Sequence, residues 1–306
     1  MNRKIKITAL SAAVTIVLGL SASATAGGAS EVLDTLKEKA LDTAESFVEA
    51  TSLKGLNSIF DNAELSMEFH DGNPDIELGV LKAYDDNSPN AFLFNQIGIN
   101  RFDKRTTLNL GVGYRVLNDD QTWMGGVNAF YDHEFPDHHK RRGAGVELIS
   151  SAVQLRANTY RGITDFITDR SGTDSKALDG NDTRLKVALP YMPDSFFEYS
   201  NFKWKGVEAA TDTKGKKYSL SSTVFDNLSV DITRTDYDDA STNDKNRIKL
   251  SYKWNFGNES KTPRLLFSVA DTAYQFTRLD SEKYDLVERT NRIVKQKKFA
   301  AKAGGF

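Results

Sequence analysis

The chain has 306 residues, 39% of them hydrophobic and 27% charged, and a formal net charge of −2, which predicts one or two globular domains and gives no reason to expect nucleic acid as a partner. The absence of cysteine excludes a disulfide framework, a thiolate metal site and a cysteine nucleophile. Beyond residue 30 no apolar run is long enough for a membrane helix, but a β-barrel stays open because its strands are apolar only at alternate positions.

The amino terminus predicts export from the cytoplasm. Positive charges at Arg3, Lys4 and Lys6 precede an apolar run over residues 7–20, and small residues follow. This pattern is typical of a secretory signal peptide over residues 1–26 rather than of an anchoring helix. Export without cysteine favours the periplasm or the outer membrane of a diderm bacterium.

Residues 27–58 are predicted to form a periplasmic lead-in built around one amphipathic helix. Apolar residues recur there at helical spacing, with mixed charges opposite. They are Leu33, Leu36, Ala40, Leu41, Ala44, Phe47 and Val48. The mixed charge favours docking on a neighbouring part of the molecule over binding to a membrane surface.

Between residues 59 and 257 the period of the apolar residues changes to two. In the windows 108–116, 153–157 and 248–256, apolar side chains alternate with polar side chains and glycine. A soluble sandwich would direct the apolar set to its core, whereas an outer-membrane barrel directs it to lipid. Five of the six prolines fall outside the windows and Pro190 lies one residue from a window end, as a fully paired sheet requires. Aromatic residues gather at window ends, as in interfacial girdles. These aromatic residues are Tyr84, Phe102, Tyr131, Phe135, Tyr160, Tyr191, Trp204, Tyr237, Trp254 and Phe256.

Twelve windows are predicted to be strands, and an even number suits an outer-membrane barrel. They cover 62–69, 75–84, 91–102, 105–117, 122–134, 140–149, 152–161, 183–191, 195–204, 216–225, 228–237 and 246–257. The first two are the weakest, so ten or fourteen strands are alternatives. Several odd connections are long and the even ones are tight, which places the odd connections outside the cell. The predicted fold class is all-β, a 12-stranded antiparallel transmembrane β-barrel over residues 59–257.

Charged residues in the polar set predict a charged lumen. They are Arg115, Asp132, Glu147, Arg156 and Arg184, together with Lys186, Asp231, Lys249 and Lys253. We expect them to pair with one another and to hold a plug rather than to select solutes. No cofactor and no metal are expected. His133, His138 and His139 lie near carboxylates between two strands, but a solvated loop is favoured over a metal site because adjacent residues in an extended chain point to opposite sides.

Residues 258–306 are predicted to form a pore helix and a linker tail. Thr262 and Pro263 suit the start of a helix. Apolar residues then follow helical spacing at Leu266, Val269, Ala270, Ala273 and Phe276. A helix of about 18 residues would be about 27 Å long and would fit along a pore. The extended remainder is long enough to emerge on the far side of the membrane.

Several segments resemble the intimin and invasin family of inverse autotransporters. They are 109–115 (NLGVGYR), 126–135 (GVNAFYDHEF), 139–148 (HKRRGAGVEL), 156–162 (RANTYRG) and above all 283–298 (KYDLVERTNRIVKQKK), in the order of the family. The resemblance implies a twelve-stranded outer-membrane barrel with a helix and a linker in its pore. It also implies export of a carboxy-terminal passenger of immunoglobulin-like modules through that pore.

The resemblance further implies two sets of site residues. The pore plug or linker would contain Tyr284, Asp285, Leu286, Val287, Glu288, Arg289 and Asn291. The last strand would carry the alternating signal read by the barrel-assembly machinery, at Leu250, Tyr252, Trp254 and Phe256. The implied partners are outer-membrane lipid, the barrel-assembly machinery and periplasmic chaperones, and a host or cell-surface ligand of the external loops stays open.

The sequence departs from the family after the linker arginine. Relatives carry a run of asparagines and then adhesive modules, whereas here Arg289 is followed by Thr290, Asn291 and Arg292, and the sequence stops at Phe306. The expected function is a translocator of the type V kind that anchors and exports its own carboxy-terminal segment through a plugged pore, with the adhesin passenger missing. A porin-like diffusion channel is the alternative.

A third hypothesis is an outer-membrane phospholipase. Such an enzyme needs a nucleophile beside a histidine base, arranged as His-x-Ser on one strand face. None of the four histidines has a serine two positions on. We therefore expect no enzyme activity.

Overall fold

The structure is a computed structural model that describes residues 59–69, 75–84, 88, 90–102, 105–169, 172–208, 210–225, 228–239, 242–255, 269–280 and 282–298. The predicted signal peptide, the predicted lead-in helix and the start of the predicted pore helix lie outside these residues, as does Phe256. In the described ranges, no helix is both long and apolar enough to cross a membrane.

Twelve antiparallel strands close into one barrel. They are β1 (Asn62–Phe69), β2 (Asp75–Tyr84), β3 (Ala91–Phe102), β4 (Arg105–Leu117), β5 (Trp123–Phe135), β6 (Lys140–Ser150), β7 (Val153–Gly162), β10 (Gly180–Leu189), β11 (Met192–Trp204), β12 (Thr213–Phe225), β13 (Leu228–Tyr237) and β14 (Lys245–Asn255). Each strand pairs with its neighbour in this order, and β1 pairs with β14 to close the sheet. The predicted twelve-stranded barrel is confirmed, with strand ends shifted by three residues at most.

Three further strands form a separate small sheet that the sequence did not predict. They are β8 (Ile167–Thr168), β9 (Asp174–Ala177) and β15 (Lys295–Lys297), in the order β15-β9-β8. β8 and β9 belong to the connection between β7 and β10, whereas β15 comes from the carboxy-terminal segment. The small sheet therefore joins that segment to one end of the barrel.

Alternation along each strand separates an apolar outer face from a polar lumen. In β4, Leu110, Val112 and Tyr114 face outward with 42–58% of their surface exposed, while Asn109 and Arg115 face inward and are buried. Most barrel strands repeat this arrangement, as expected of a barrel in lipid. At the seam between β1 and β14 the outward side chains are buried instead. These are Ala63, Leu65, Met67 and Leu250.

The two ends of the barrel differ in the length of their connections. One end, the turn end, has tight connections at 118–122, 151–152 and 190–191. The other, the loop end, has the long connections 163–179, 205–212 and 238–244. In outer-membrane barrels the short turns lie in the periplasm and the long loops outside the cell.

The predicted pore helix is wrong where the structure describes it. Residues 269–280 contain no helix, and the one helical piece of the described carboxy-terminal residues is a single 3-10 turn, Glu282–Tyr284. Main-chain groups of 269–280 bond to the turns of the barrel instead. Ala270 N donates to Tyr191 O at 2.8 Å, and Leu279 N donates to Gln121 O at 2.8 Å.

The aromatic girdle is correct only in part. Tyr84, Tyr131 and Phe135 face outward and are exposed, but Tyr160 and Trp204 are buried in the lumen. Because Leu155 faces outward in β7, the alternation of that strand directs Tyr160 inward. Other members of the predicted girdle that join the lumen are Phe102, through contacts with Arg105 and Arg292, and Tyr237, which packs with Phe202. Tyr191 is exposed in a turn, and the side chain of Trp254 is not described.

Candidate functional site

A carboxy-terminal segment runs through the lumen from the turn end to the loop end. We call residues 282–298 the threading segment. At the turn end it follows Leu279, whose main chain is bonded to the turn at Gln121. At the loop end its strand β15 pairs with β9, and Lys298 N donates to Asp174 O at 2.7 Å. The segment thus connects the two ends of the barrel through its interior.

Near the turn end the threading segment packs into an apolar layer. Leu279 and Val287 are buried among inward side chains of β2–β6, and the Tyr284 ring lies edge-on to Phe92 with centroids 5.5 Å apart. Gly79 leaves room for the side chain of Leu286, because a Cβ at position 79 would lie 2.4 Å from Leu286 Cδ1. This layer seats the segment against one side of the wall.

At mid-lumen an ion cluster joins the threading segment to the wall. We call it the Asp132 cluster, and it contains Asn109, Asp132, Arg141 and Arg289. Asp132 accepts hydrogen bonds from Arg289 Nη1 and Nη2, at 2.9 and 2.7 Å, and from Arg141 Nε at 2.8 Å. Asn109 donates to the same carboxylate at 2.7 Å. The side chains of Asp132 and Arg289 are 0% and 1% exposed. A bidentate arginine–carboxylate pair of this kind is directional as well as strong.

Aromatic rings flank the Asp132 cluster. The Arg289 guanidinium lies 4.2 Å from the centroid of Phe130, and the Arg141 guanidinium lies 4.5 Å from that of Tyr160. Gly111 leaves the space that the Phe130 ring fills. Burial of charged groups is costly unless their charges are paired. The contacts with the two rings add to the ion pairs and hold both guanidinium groups in one geometry.

Two arginines of the wall bind the threading segment by its main chain. Arg115 pairs with Glu147 at 2.7 Å and donates to the carbonyl oxygens of Lys283 and Asp285 at 2.8 and 2.7 Å. Arg141 donates to the carbonyl oxygens of Arg292 and Thr290 at 3.0 and 2.6 Å. Both guanidinium groups are fully buried.

A second group of ion pairs surrounds Glu288. This carboxylate lies 3.4 Å from Arg156 Nη1 and 3.2 Å from Lys186 Nζ. Arg156 is also near Glu147, and Arg184 pairs with Asp182 at 3.3 Å. Glu288 keeps a third of its side chain exposed, so this group is wetter than the Asp132 cluster.

At the loop end the small sheet is fixed by charge and by a buried histidine. Lys295 Nζ lies 2.5 Å from Glu134 and 3.2 Å from Asp137. His139 is buried and its Nε2 lies 3.0 Å from Ser175 Oγ of β9. Burial, helped by the nearby charge of Lys295, lowers the pKa of His139 to about 4, which keeps the imidazole neutral.

The predicted site residues lie in three places: the inward faces of the strands, the threading segment and the last strand of the barrel. The predicted lumen charges Arg115, Asp132, Glu147, Arg156 and Arg184 all lie on inward faces. The predicted linker residues lie in the threading segment: Tyr284, Asp285, Leu286, Val287, Glu288, Arg289 and Asn291. In the predicted assembly signal, Leu250 faces outward at the seam, and the side chains of Tyr252 and Trp254 are not described. That signal stays a prediction.

Arg141 and Asn109 were not among the predicted site residues, although the alternation of the 108–116 window already put Asn109 in the polar set and strand parity could have placed Arg141 there as well. Both share an inward face with a predicted lumen residue on the same or the neighbouring strand. The three clustered histidines divide between two environments: His133 and His138 contact each other at 3.1 Å on the surface, and His139 is buried. In the part of the chain that the structure describes, no group of histidines and carboxylates is arranged to hold a metal ion.

A closed antiparallel barrel with an apolar exterior and a charged lumen is a transmembrane β-barrel of the outer-membrane class. Residues 19–291 match the family described as inverse autotransporter, beta-domain. The chain therefore belongs to the inverse autotransporter β-domain family, as its motifs predicted, and it is a protein of the Gram-negative outer membrane. This family is one of translocator barrels rather than a known enzyme family.

Two curated relatives and one solved structure illustrate the similarity. Invasin from Yersinia enterocolitica is 35% identical over 116 residues, which cover 37% of this chain and 13% of invasin. The inverse autotransporter adhesin YeeJ from Escherichia coli K12 is 25% identical over 216 residues, 68% of this chain and 9% of YeeJ. This chain thus spans a small fraction of both relatives. A solved structure described in work on in-meso crystallization of membrane proteins superposes with a TM-score of 0.67 at 19% identity, covering 78% of this chain and 100% of that one, which supports the fold alone.

Proposed function

We propose that this barrel is an inverse autotransporter translocator that anchors the protein in the outer membrane and carries its own carboxy-terminal chain to the cell surface. The part of that chain that stays in the lumen would close the pore. The observation that carries the proposal is the path of the threading segment. It enters beside the short turns, crosses the lumen and leaves paired with β9 among the long loops.

Closure of the pore is supported by what fills the lumen. Val287 and Arg289 are buried inside the barrel, and the Asp132 cluster spans from β4, β5 and β6 to the segment. Water-filled porins conduct because their lumen is open. A lumen crossed by a buried, paired chain is expected to conduct poorly.

Conductance tests this closure directly. The full-length protein in a planar lipid bilayer should show little steady conductance, and deletion of residues 260–306 should raise it severalfold while the barrel stays folded by gel mobility. Equal conductance of the two proteins would contradict the plug and would favour the porin-like diffusion channel.

The direction of the threading segment can be tested with single thiols, since the chain has no cysteine. Lys297→Cys lies exposed at the loop end, and Thr272→Cys lies exposed at the turn end. A membrane-impermeant maleimide should label Lys297→Cys on intact cells and should label Thr272→Cys only after the outer membrane is permeabilised. The reverse pattern would overturn the proposed orientation.

The proposed partners follow from the same placement. Exposed outward side chains such as Leu93, Val112 and Val146 would contact outer-membrane lipid. Insertion would require periplasmic chaperones and the barrel-assembly machinery, with Leu250, Tyr252, Trp254 and Phe256 of the last strand as the recognised signal. A host or cell-surface ligand would meet the long loops first.

A further inference from the structure

We infer that the wall of the lumen binds an extended polypeptide by its main chain as well as by its side chains, and that the buried pair of Arg289 with Asp132 sets the register in which the chain comes to rest. This inference rests on the proposed translocator function and deepens it. It names the substrate class, an extended peptide read by its carbonyl and amide groups, and a positioning residue that ends the movement.

Side chains of the wall reach the main chain along the whole middle of the threading segment. Besides the carbonyl bonds from Arg115 and Arg141, three wall amides donate to carbonyl oxygens of the segment. These bonds are Asn62 to Tyr284 at 2.9 Å, Asn109 to Asn291 at 3.0 Å and Asn158 to Glu288 at 3.3 Å. Main-chain bonds of this kind would form with a chain of almost any sequence.

The wall also accepts hydrogen bonds from the main chain. Val287 N donates to Gln96 Oε1 at 2.8 Å, and Thr290 N donates to the Tyr160 hydroxyl at 2.8 Å. Donors and acceptors of the wall therefore serve both kinds of peptide group. The wall thus forms hydrogen bonds with a peptide main chain, as the edge of a β-sheet does, but its donors and acceptors are side chains.

Contacts to side chains of the segment differ from one another in burial. Glu288 and Arg292 keep 33% and 21% of their side chains exposed in their ion pairs. Arg289 and Asp132 are buried completely and paired through two bonds. Among the described ion pairs between the threading segment and the wall, the pair of Arg289 with Asp132 is the most buried. A shift of the segment would therefore cost most at this pair.

The repeat of an extended chain explains why a stop is needed. Beyond the 3-10 turn Glu282–Tyr284, successive residues of an extended chain advance by about 3.3 Å and point alternately to opposite sides, so a shift of two residues, about 7 Å, presents equivalent carbonyl and amide groups to the wall. Main-chain bonds alone thus permit several registers. An unpaired Arg289 in the lumen would be costly to bury, which leaves one register favoured.

Disulfide trapping measures the register in the full-length protein. Gly79→Cys on β2 faces Leu286, so it is combined in turn with Tyr284→Cys, Leu286→Cys and Glu288→Cys. With Arg289 present, oxidation should crosslink Leu286→Cys alone. In an Arg289→Ala background the other two pairs should also crosslink, with the Leu286→Cys yield falling at least twofold. Gel mobility shows whether each barrel is folded. If Gly79→Cys does not fold, Gln96→Cys combined with Val287→Cys reports the same register, because these two residues are in contact.

The matched control tests the main-chain part of the inference. Glu288→Ala, read with the Tyr284→Cys and Leu286→Cys pairs, removes the wetter ion pairs and should keep the single register of the unmodified segment, as should Thr290→Ala, which keeps the main-chain bond to Tyr160. A single register in Arg289→Ala would overturn the role of Arg289, and loss of register in the alanine variants would overturn binding through the main chain. Absence of every crosslink in the parent background would instead contradict the proposed function, because the segment would not occupy the lumen.

Discussion

Glycine at position 111 illustrates how a single residue shapes the lumen. A Cβ there would lie 2.2 Å from the Phe130 ring, whereas a Cβ at Gly125 meets nothing within 4 Å. Phe130 in turn supports Arg289. Gly111→Ala should therefore displace the ring and destabilise the barrel by about 1–3 kcal/mol, as overpacking does. Gly125→Ala should change the free energy of unfolding by less than about 0.5 kcal/mol. Unfolding in urea, followed by gel mobility, measures both, and equal effects would contradict the packing argument.

His139 gives the loop end a pH dependence whose sign can be worked out. Its folded pKa of about 4 lies below the ordinary value of 6.5, so the unfolded chain binds the proton more readily. The contribution of the neutral imidazole is complete above about pH 6.5 and is lost as the pH falls toward 4. Lys295 and Arg105 oppose the protonated form, and Asp137 favours it.

We therefore expect His139→Gln to lose less stability than the parent protein between pH 7.5 and 4.5, by about 1–2 kcal/mol. The glutamine can still reach Ser175 but does not titrate. The measurement is the midpoint of thermal unfolding of both proteins at both pH values, so that titration of the carboxylates cancels. Identical pH dependence of the two proteins would contradict a neutral buried imidazole.

At the scale of elements, the small sheet holds the threading segment at the exit. Lys298→Pro removes the amide that donates to Asp174 O, while Lys298→Ala keeps it. Loss of one hydrogen bond costs about 1 kcal/mol, so β15 should open about fivefold more often in the proline variant. Trypsin cleavage after Lys295 on intact cells should quicken by that factor, and this bond is the one to follow because trypsin does not cleave before proline at position 298. Cleavage that is equally fast in both variants would show that β15 does not depend on β9.

The barrel strands could be predicted because each one carries its own signal. Alternation in windows such as Arg105–Leu117 reports a lipid face and a lumen face without reference to any other element. β8, β9 and β15 could not be predicted, because strands of two to four residues form only where a distant segment arrives. The pore helix failed for a related reason: apolar spacing after Pro263 favoured a helix, but Ala270 and Leu279 bond to turns of the barrel.

The site was partly predictable for the same physical reasons. The parity of β5 and its charge placed Asp132 in the lumen, and the resemblance placed Arg289 in the linker, but nothing local to either residue says that they meet. That pairing depends on the register of the whole segment. Arg141 was within reach of the parity argument, because it lies opposite Asp132 on the neighbouring strand.

At the scale of the whole molecule, the barrel and its threading segment should stabilise each other through the Asp132 cluster. Asp132→Asn in the full chain leaves Arg141 and Arg289 buried without their counter-charge, which should cost about 3–5 kcal/mol. After deletion of residues 260–306 the lumen can fill with water and Arg289 is absent, so the same change should cost less than about 1 kcal/mol.

A double-mutant cycle of these four proteins should therefore give a coupling free energy of about 2 kcal/mol or more between the substitution and the deletion. Asp236→Asn is the control, because that residue pairs with Arg234 in an exposed surface pair and should add to the deletion within about 0.5 kcal/mol. Unfolding in urea by gel mobility and by tryptophan fluorescence provides the four free energies. An additive cycle at Asp132 would contradict the coupling, because the Asp132 carboxylate would then contribute the same free energy with and without the threading segment.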